Sequence, residues 1–247
     1  MQLLLDNIHT YKSFGAKAIL IEWKAIIEEA ILKDILEFKD KINSQKSESY
    51  LDYSIGYNSL TIIFKDIILD FNKEVEKLKL IYTLNSTIKP VQNFLWDIPV
   101  CYDLEFGIDL EEMSQSLNLE ILEIIKIHSE SIYTVFFIGF LPGFLYLGGL
   151  NSKLFFDRKP NPRLNVELGS VGIGGEQTGV YPVNSAGGWN ILGRTPIIFF
   201  DLEVSNPCFA KAGDQIKFSV ITKKEFLELE ILVSKKSYQL FKTVIND

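Results

Sequence analysis

Twelve of the sixteen glycines in this 247-residue chain fall between Gly139 and Gly193, and five of its eight prolines fall between Pro142 and Pro196. No long helix survives such punctuation, because each internal glycine costs about 1 kcal/mol and each proline about 3 kcal/mol relative to alanine. Between the breaks lie short apolar runs: Tyr133–Ile138, Ser170–Ile173, Ile197–Phe200 and Gln215–Val220. Short strands alternating with Gly/Pro turns predict a closed or nearly closed β-barrel.

The chain before residue 90 has a different texture, with few glycines and prolines. Ala18–Trp23 reads as a strand. From Ala25 to about Lys46, Ile26, Ile27, Ala30, Ile31, Ile35, Phe38 and Ile42 recur with helical period. Tyr53–Gly56 and Leu60–Phe64 read as two strands joined by a tight turn. Asp70 is placed to cap a helix running to about Leu84, with Phe71, Val75, Leu78 and Ile81 on one face. Strand, helix, strand, strand, helix predicts a small α+β domain of the ferredoxin type over residues 1–90. Lys89-Pro90 ends its last helix.

A second domain, residues 91–247, begins with the strand Asp97–Tyr102. Asp109-Leu-Glu-Glu112 reads as a helix start in which the Asp caps and the Glu reaches back, and Asn118 as a left-handed stop. A helix from Glu120 to His128 follows, making 109–128 a helical insert in the barrel. Thr222 to about Val244 reads as a terminal amphipathic helix.

Several chemistries are excluded or disfavoured. The net charge of −7, from 32 acidic and 25 basic residues, argues against a nucleic-acid or anionic-membrane binder. The N-terminus lacks a basic segment followed by a long apolar run, and no stretch of about 18 apolar residues exists, so a cytoplasmic protein is expected. Cys101 and Cys208 are too few for a disulfide framework. His9 and His128 are far apart, and neither CxxC nor HExxH occurs, so no protein-bound metal is expected. Ser170 sits in a turn resembling a nucleophile elbow, but Leu168 breaks the pattern and no histidine follows it. Gly172–Gln177 fails the dinucleotide pattern, and no Walker loop is present.

Three segments remain. Ile138–Leu150 packs aromatics between glycines and a proline, as a shaped loop or as a buried aromatic plug. Gly174–Pro182 sets Gln177, Thr178 and Tyr181 among glycines, as a polar ligand site or as a plain barrel turn. Gly187–Pro196 carries Arg194, which either grips an anion or closes an ion pair with Glu176 or Glu203. Arginine is scarce, with only Arg158, Arg163 and Arg194 against 22 lysines. AT-rich codon usage accounts for the scarcity but not for the clustering. Where a planar fork is needed, lysine does not replace arginine. Arg158, in the loop Phe156–Pro160, reads as a bystander.

Gly139-Phe-x-Pro-Gly-Phe-x-Tyr-Leu-Gly-Gly, Pro162-Arg-x-x-Val, Gly169-Ser-Val-Gly-Ile, Gln177-Thr-Gly-x-Tyr-Pro and Gly187-Gly-Trp-x-x-Leu-Gly-Arg-Thr-Pro occur in this order. Together they resemble the B-type 5-oxoprolinase subunit family, which includes Kip-type inhibitors of a sporulation histidine kinase. The family is also called allophanate hydrolase subunit 1. It is similar to subdomains C and D of the urea carboxylase carboxyltransferase domain. Gly15, Leu20, Glu22 and Ile55–Ser59 resemble its N-terminal part more loosely, and Cys101-Tyr, Glu105–Leu110 and His128 the lead into its C-terminal part. Glu167-Leu168 stands where the resemblance implies Pro-Ala, and Asn118 where it implies Gly.

The resemblance implies a ferredoxin-like N-terminal domain and a cyclophilin-like barrel. It also implies two partners, a C-type chain of the carboxyltransferase A/B kind and an A-type protein, with ATP and Mg shared among them. The implied reaction is ATP-dependent opening of 5-oxoproline to glutamate, in which phosphorylating the lactam carbonyl oxygen makes it a leaving group. On this basis Arg163 and Arg194 would hold a carboxylate or phosphate, and His128 would carry a proton. Gln177, Thr178 and Tyr181 would orient the lactam or nucleotide, and Phe140, Pro142, Gly143 and Phe144 would form one wall. The alternatives are a kinase inhibitor without chemistry, an allophanate-type or other urea-derived amide hydrolase subunit, and a scaffold supplying one wall of a partner's site.

Overall fold

The computed structural model describes residues 9–85 and 92–245. It divides into two compact units, Met1–Val91 and Gln92–Asp247. The expected helix end at Lys89-Pro90 lies outside the described residues.

In the first unit, β1 (Thr10–Ser13), β2 (Ala18–Glu22), α1 (Glu29–Ser44), β3 (Tyr50–Ile55), β4 (Ser59–Phe64) and α2 (Phe71–Tyr82) follow in sequence. The strands form one antiparallel sheet in the order β1-β2-β4-β3. Strand alternation puts Ile19, Ile21, Leu60, Ile62 and Phe64 on one face. These pack with Ile35, Phe38 and Ile42 of α1 and Val75 and Leu78 of α2. Asp70 caps α2 as expected, accepting the Lys73 N–H at 3.0 Å. Strand β1 was not expected from the sequence; Thr-Tyr-Lys-Ser is a polar edge strand. Helix α1 starts four residues later than its apolar period implies.

The second unit is the expected barrel. Its strands are β5 (Asn93–Cys101), β6 (Ile132–Ile138), β7 (Leu145–Gly148), β9 (Ser170–Gly174), β10 (Gln177–Val180), β12 (Asn190–Arg194) and β13 (Gln215–Ile221). They run β12-β9-β10-β7-β6-β13-β5, and a β12–β5 pairing closes the ring of seven. Closure brings Arg194 opposite Cys101. Gly193 permits it, since a Cβ there would lie 2.6 Å from the Cys101 carbonyl oxygen. β5 and β13 pair in parallel, Gln215 with Leu95 through Ile221 with Cys101. A separate ribbon, β8 (Arg163–Val166) with β11 (Ser185–Gly187), crosses outside the ring. Cys101 and Cys208 are both free thiols.

Helices α3 (Leu110–Leu117) and α4 (Ile121–Glu130) bury Leu110, Met113 and Ile124 in the barrel core. Asn118 ends α3 in the left-handed region, φ 52°, as its sequence position predicted. Three expectations are corrected. Asp109 occupies the N-cap position of α3, but its side chain makes no cap bond. Ile197–Phe200 is not a strand: Ile197 and Phe199 are buried in alternation, yet the Ile197 N–H goes to Thr195 Oγ1 instead of a ladder. The terminal helix α5 (Lys223–Ser234) stops well before Val244. Lys236 adopts φ 53° beyond its end, and Lys242–Ile245 returns as β14 on the free edge of β5.

Candidate functional site

Residues 155–163 run as a strap over one flank of the barrel, held by Phe156 packed against the barrel core and by a series of polar contacts. Phe156 and Gly175 exchange both backbone hydrogen bonds, at 3.1 and 2.7 Å. Lys159 N–H donates to the Gly188 carbonyl at 2.7 Å. The Asn190 amide donates to the Asp157 carbonyl at 2.8 Å and to the Ile173 carbonyl at 3.3 Å. Behind the strap, Gly174 leaves room for the indole of Trp189, which a Cβ would approach to 2.4 Å.

The strap ends in a charged network rooted on Asp109, which is 2% exposed. Its Oδ2 accepts the Ile191 N–H at 2.7 Å. Its Oδ1 accepts Arg163 Nη2 at 2.5 Å and Lys159 Nζ at 3.0 Å. Lys159 also reaches Glu112 at 2.5 Å, and Arg163 donates to the Trp189 carbonyl at 3.3 Å. Partial burial alone would lower the Lys159 ammonium, but the hydrogen bonds it donates to Glu112 and Asp109 outweigh it and hold it above the usual lysine value. Asp109 and Glu112 are three residues apart, which puts both carboxylates on one side of the first turn of α3.

Between this network and the β9–β10 turn lies an open cleft of about 540 Å³, bordered by Glu112, Phe156, Arg158, Lys159, Glu176 and Asn190 among others. That is the size of a small-molecule site. Arg158 stands in it, its guanidinium 5.7 Å from the Trp189 ring centroid and donating to Gln177 Oε1 at 3.2 Å.

The expected site residues do not converge on one place. Gln177 reaches the cleft through Arg158, and Arg163 adjoins it through Asp109, the shared partner of Lys159. Arg194 is engaged elsewhere: Nη1 pairs with Glu167 at 2.8 Å, Nε donates to the Leu168 carbonyl at 2.9 Å, and the rings of Phe106 and Phe226 lie beside its guanidinium. Its ion-pair partner is Glu167, not Glu176 or Glu203; Glu203 pairs with Lys236. The four wall residues divide. Gly143 and Phe144 are buried, and Phe144 packs edge-on against Tyr181 and Trp189. Pro142 and Phe140 face solvent, Phe140 in the left-handed region at φ 65°. Tyr181 is 2% exposed, within this aromatic layer.

His128 and Thr178 lie in the barrel core, both 0% exposed. The Thr178 hydroxyl donates to the Gly172 carbonyl at 3.0 Å, so it accepts from His128 Nε2 at 2.9 Å. That assignment leaves His128 Nδ1 to accept the Tyr102 hydroxyl proton at 2.8 Å. Burial pushes the imidazole down to about 3, so it is neutral at physiological pH. The ring, expected as a proton carrier, is enclosed and neutral, stacked 4.8 Å from Phe218 as a hydrogen-bond centre of the barrel core.

Sequence reasoning missed Asp109, Lys159, Glu112 and Asn190, and set Arg158 aside. The available signal was the density of Arg158, Lys159 and Arg163 around Pro160 and Pro162, together with the Asp109/Glu112 spacing. Among the described residues, no group of three or more His, Cys, Asp or Glu side chains is arranged to hold a metal ion. No described helix is long and apolar enough to cross a membrane.

Known proteins share this architecture and much of its sequence. Residues 9–210 match the family model of the carboxyltransferase domain, subdomain C and D. The chain is 32% identical to the 5-oxoprolinase B subunit of Bacillus subtilis (strain 168) over 232 residues, covering 87% of this chain and 94% of that protein. It is 40% identical to the 5-oxoprolinase B subunit of Haemophilus influenzae over 176 residues, 71% of this chain and 82% of that one. Among solved structures, K. lactis urea amidolyase superposes on 98% of this chain with a TM-score of 0.81 at 16% identity. There the match spans only 16% of the larger chain, and it shows a shared fold.

Proposed function

The chain belongs to the family of the carboxyltransferase domain, subdomain C and D, and from that membership we propose that it is the B subunit of a 5-oxoprolinase. The observation that carries the reading is the co-linear match to 5-oxoprolinase B subunits over most of both chains. In this reading the chain works with A-type and C-type partners and couples ATP hydrolysis to opening of the lactam of 5-oxoproline. Within it, residues 1–90 are a ferredoxin-like domain whose fourth strand is supplied ahead of the βαββα unit, by β1. Residues 91–247 are a cyclophilin-like barrel. The cytoplasm, where ATP is available, is the proposed location.

ATP is a co-substrate of the assembly, and magnesium accompanies it. The glycine run Gly172–Gln177 lies in the β9–β10 hairpin, not at a strand-to-helix turn with free N–H groups. That geometry does not suit a triphosphate, so we assign the nucleotide and its metal to the partner side of the active unit. This chain's contribution is the cleft wall: Asp109, Arg163 and Lys159 hold the strap in place, and Arg158 and Gln177 face the small substrate. Arg163 acts as a positioning residue, since its fork is occupied by Asp109 and the Trp189 carbonyl.

The test is reconstitution. Purified with its A- and C-type partners, the chain should support ATP hydrolysis that depends on added 5-oxoproline, and omitting it should abolish that coupling. A complete, folded mixture that hydrolyses no ATP in response to 5-oxoproline defeats the reading.

A further inference from the structure

We propose that Arg158 is the residue that binds the substrate carboxylate, an inference that rests on the 5-oxoprolinase reading and deepens it. Of the three arginines, two are already spent on carboxylates of this chain: Arg163 on Asp109, and Arg194 on Glu167. Among the described residues, Arg158 has no carboxylate partner; its contacts are the neutral Gln177 Oε1 and the Trp189 ring. A guanidinium has five N–H donors, and a single bond of 3.2 Å to Gln177 leaves most of them free for the bidentate pairing that carboxylates favour.

The backbone beneath the fork is also held in place. Asp157 on one side is tied by its carbonyl to Asn190, and Lys159 on the other by its backbone to Gly188 and by its ammonium to Asp109 and Glu112. The backbone that carries Arg158 therefore has little freedom to lose on binding, which removes part of the cost of association.

The surrounding charges select the ligand class. Asp157 and Glu176 also line the cleft, are exposed, and pair with no cation among the described residues. Two carboxylates beside one free guanidinium oppose a polyanion such as a triphosphate. They suit a small monoanion that also carries an N–H donor. A cyclic amide bearing one carboxylate meets both demands, with its carboxylate on Arg158 and its lactam N–H toward Glu176 or Asp157.

The experiment uses the reconstituted complex with the full chain, wild type against Arg158→Gln and Arg158→Lys. Arg158 is exposed, so both variants should retain the wild-type melting temperature. The expected result for Arg158→Gln is a KM for 5-oxoproline raised about 10- to 100-fold, the scale of a lost charge-assisted pair, with kcat and the KM for ATP little changed. Arg158→Lys should fall between, because it keeps the charge and loses the fork. Inhibition by 2-pyrrolidinone, the same ring without the carboxylate, should be equal in wild type and variants. A raised KM for ATP with an unchanged KM for 5-oxoproline overturns the assignment in favour of phosphate. Weakened 2-pyrrolidinone inhibition in parallel overturns it in favour of a distorted cleft. Unchanged constants throughout overturn it while leaving the B-type reading intact. A wild-type complex without 5-oxoproline-dependent turnover defeats the reading and this inference together.

Discussion

Thr178 and Gln177 are neighbours on β10 and belong to two different chemistries. Alternation along a strand sends them to opposite faces. Thr178 points into the barrel, where it joins Tyr102, His128 and the Gly172 carbonyl in a closed chain of hydrogen bonds. Gln177 points outward and meets Arg158 at the cleft. The inner constellation is neutral and its hydroxyls and ring nitrogens are all partnered, so it specifies packing. The outer one is charged and keeps Arg158, Asp157 and Glu176 facing a cavity with no ion pair among the described residues. The same motif, Gln-Thr-Gly-x-Tyr-Pro, thus supplies a structural residue and a ligand-facing residue side by side. A motif identifies the segment; only burial tells which of its residues can touch a ligand.

The largest effect is expected at the root of the outer network. Asp109→Ala leaves the Ile191 N–H without its acceptor, takes the carboxylate from Arg163 and leaves Lys159 with Glu112 alone. Removing one member of a largely buried charged group costs about 3 kcal/mol or more, because the remaining charges lose their compensation. Urea unfolding should show that loss, and the strap, loosened where Lys159 and Arg163 lose their shared carboxylate, should gain protease sensitivity between residues 155 and 163. A loss below about 1 kcal/mol would mean the strap does not depend on Asp109.

The inner constellation comes next. His128→Leu orphans the Tyr102 hydroxyl and removes the donor to Thr178, for an expected cost of about 2 kcal/mol. It also carries a pH signature. The folded imidazole is pushed down to about 3 from an ordinary value of 6.5, so between those values the unfolded chain binds a proton that the folded chain does not. Stability attributable to His128 is therefore full above pH 6.5 and is lost as pH falls toward 3. Carboxylates add their own slope, so the comparison is between wild type and variant: His128→Leu should be less acid-sensitive over that window. Equal acid sensitivity of the two proteins would show that His128 titrates in contact with solvent.

The sequence made the architecture readable and the site only in outline. Glycine and proline density announced the barrel, and apolar period announced α1, α2 and the β3–β4 hairpin, because those signals are local. β1 escaped because Thr-Tyr-Lys-Ser is polar and is a strand only by pairing with β2. Ile197–Phe200 has the alternation of a strand, but alternation reports burial and not whether a partner strand is present. The arginines were separable only in three dimensions. Asp109 and Arg163 are 54 residues apart, and nothing local marks Arg163 as already neutralised or Arg158 as left over.

The smallest stability change gives the sharpest test of the contrast on β10. Thr178→Val keeps the shape and removes the hydroxyl, leaving the His128 Nε2–H and the Gly172 carbonyl without that partner, at a cost of about 1–2 kcal/mol. Gln177→Leu removes only an exposed hydrogen bond to Arg158, so its stability should stay within about 0.5 kcal/mol of wild type. In the reconstituted enzyme the order should reverse. Gln177→Leu frees the guanidinium to turn on its stem and should raise the KM for 5-oxoproline by about threefold, the scale of one weak hydrogen bond. Thr178→Val, whose side chain has no route to the cleft, should leave that KM unchanged once the protein is folded at the assay temperature. If both substitutions shift stability and KM together, the two faces of β10 are coupled, and the division between an inner lock and an outer site does not hold.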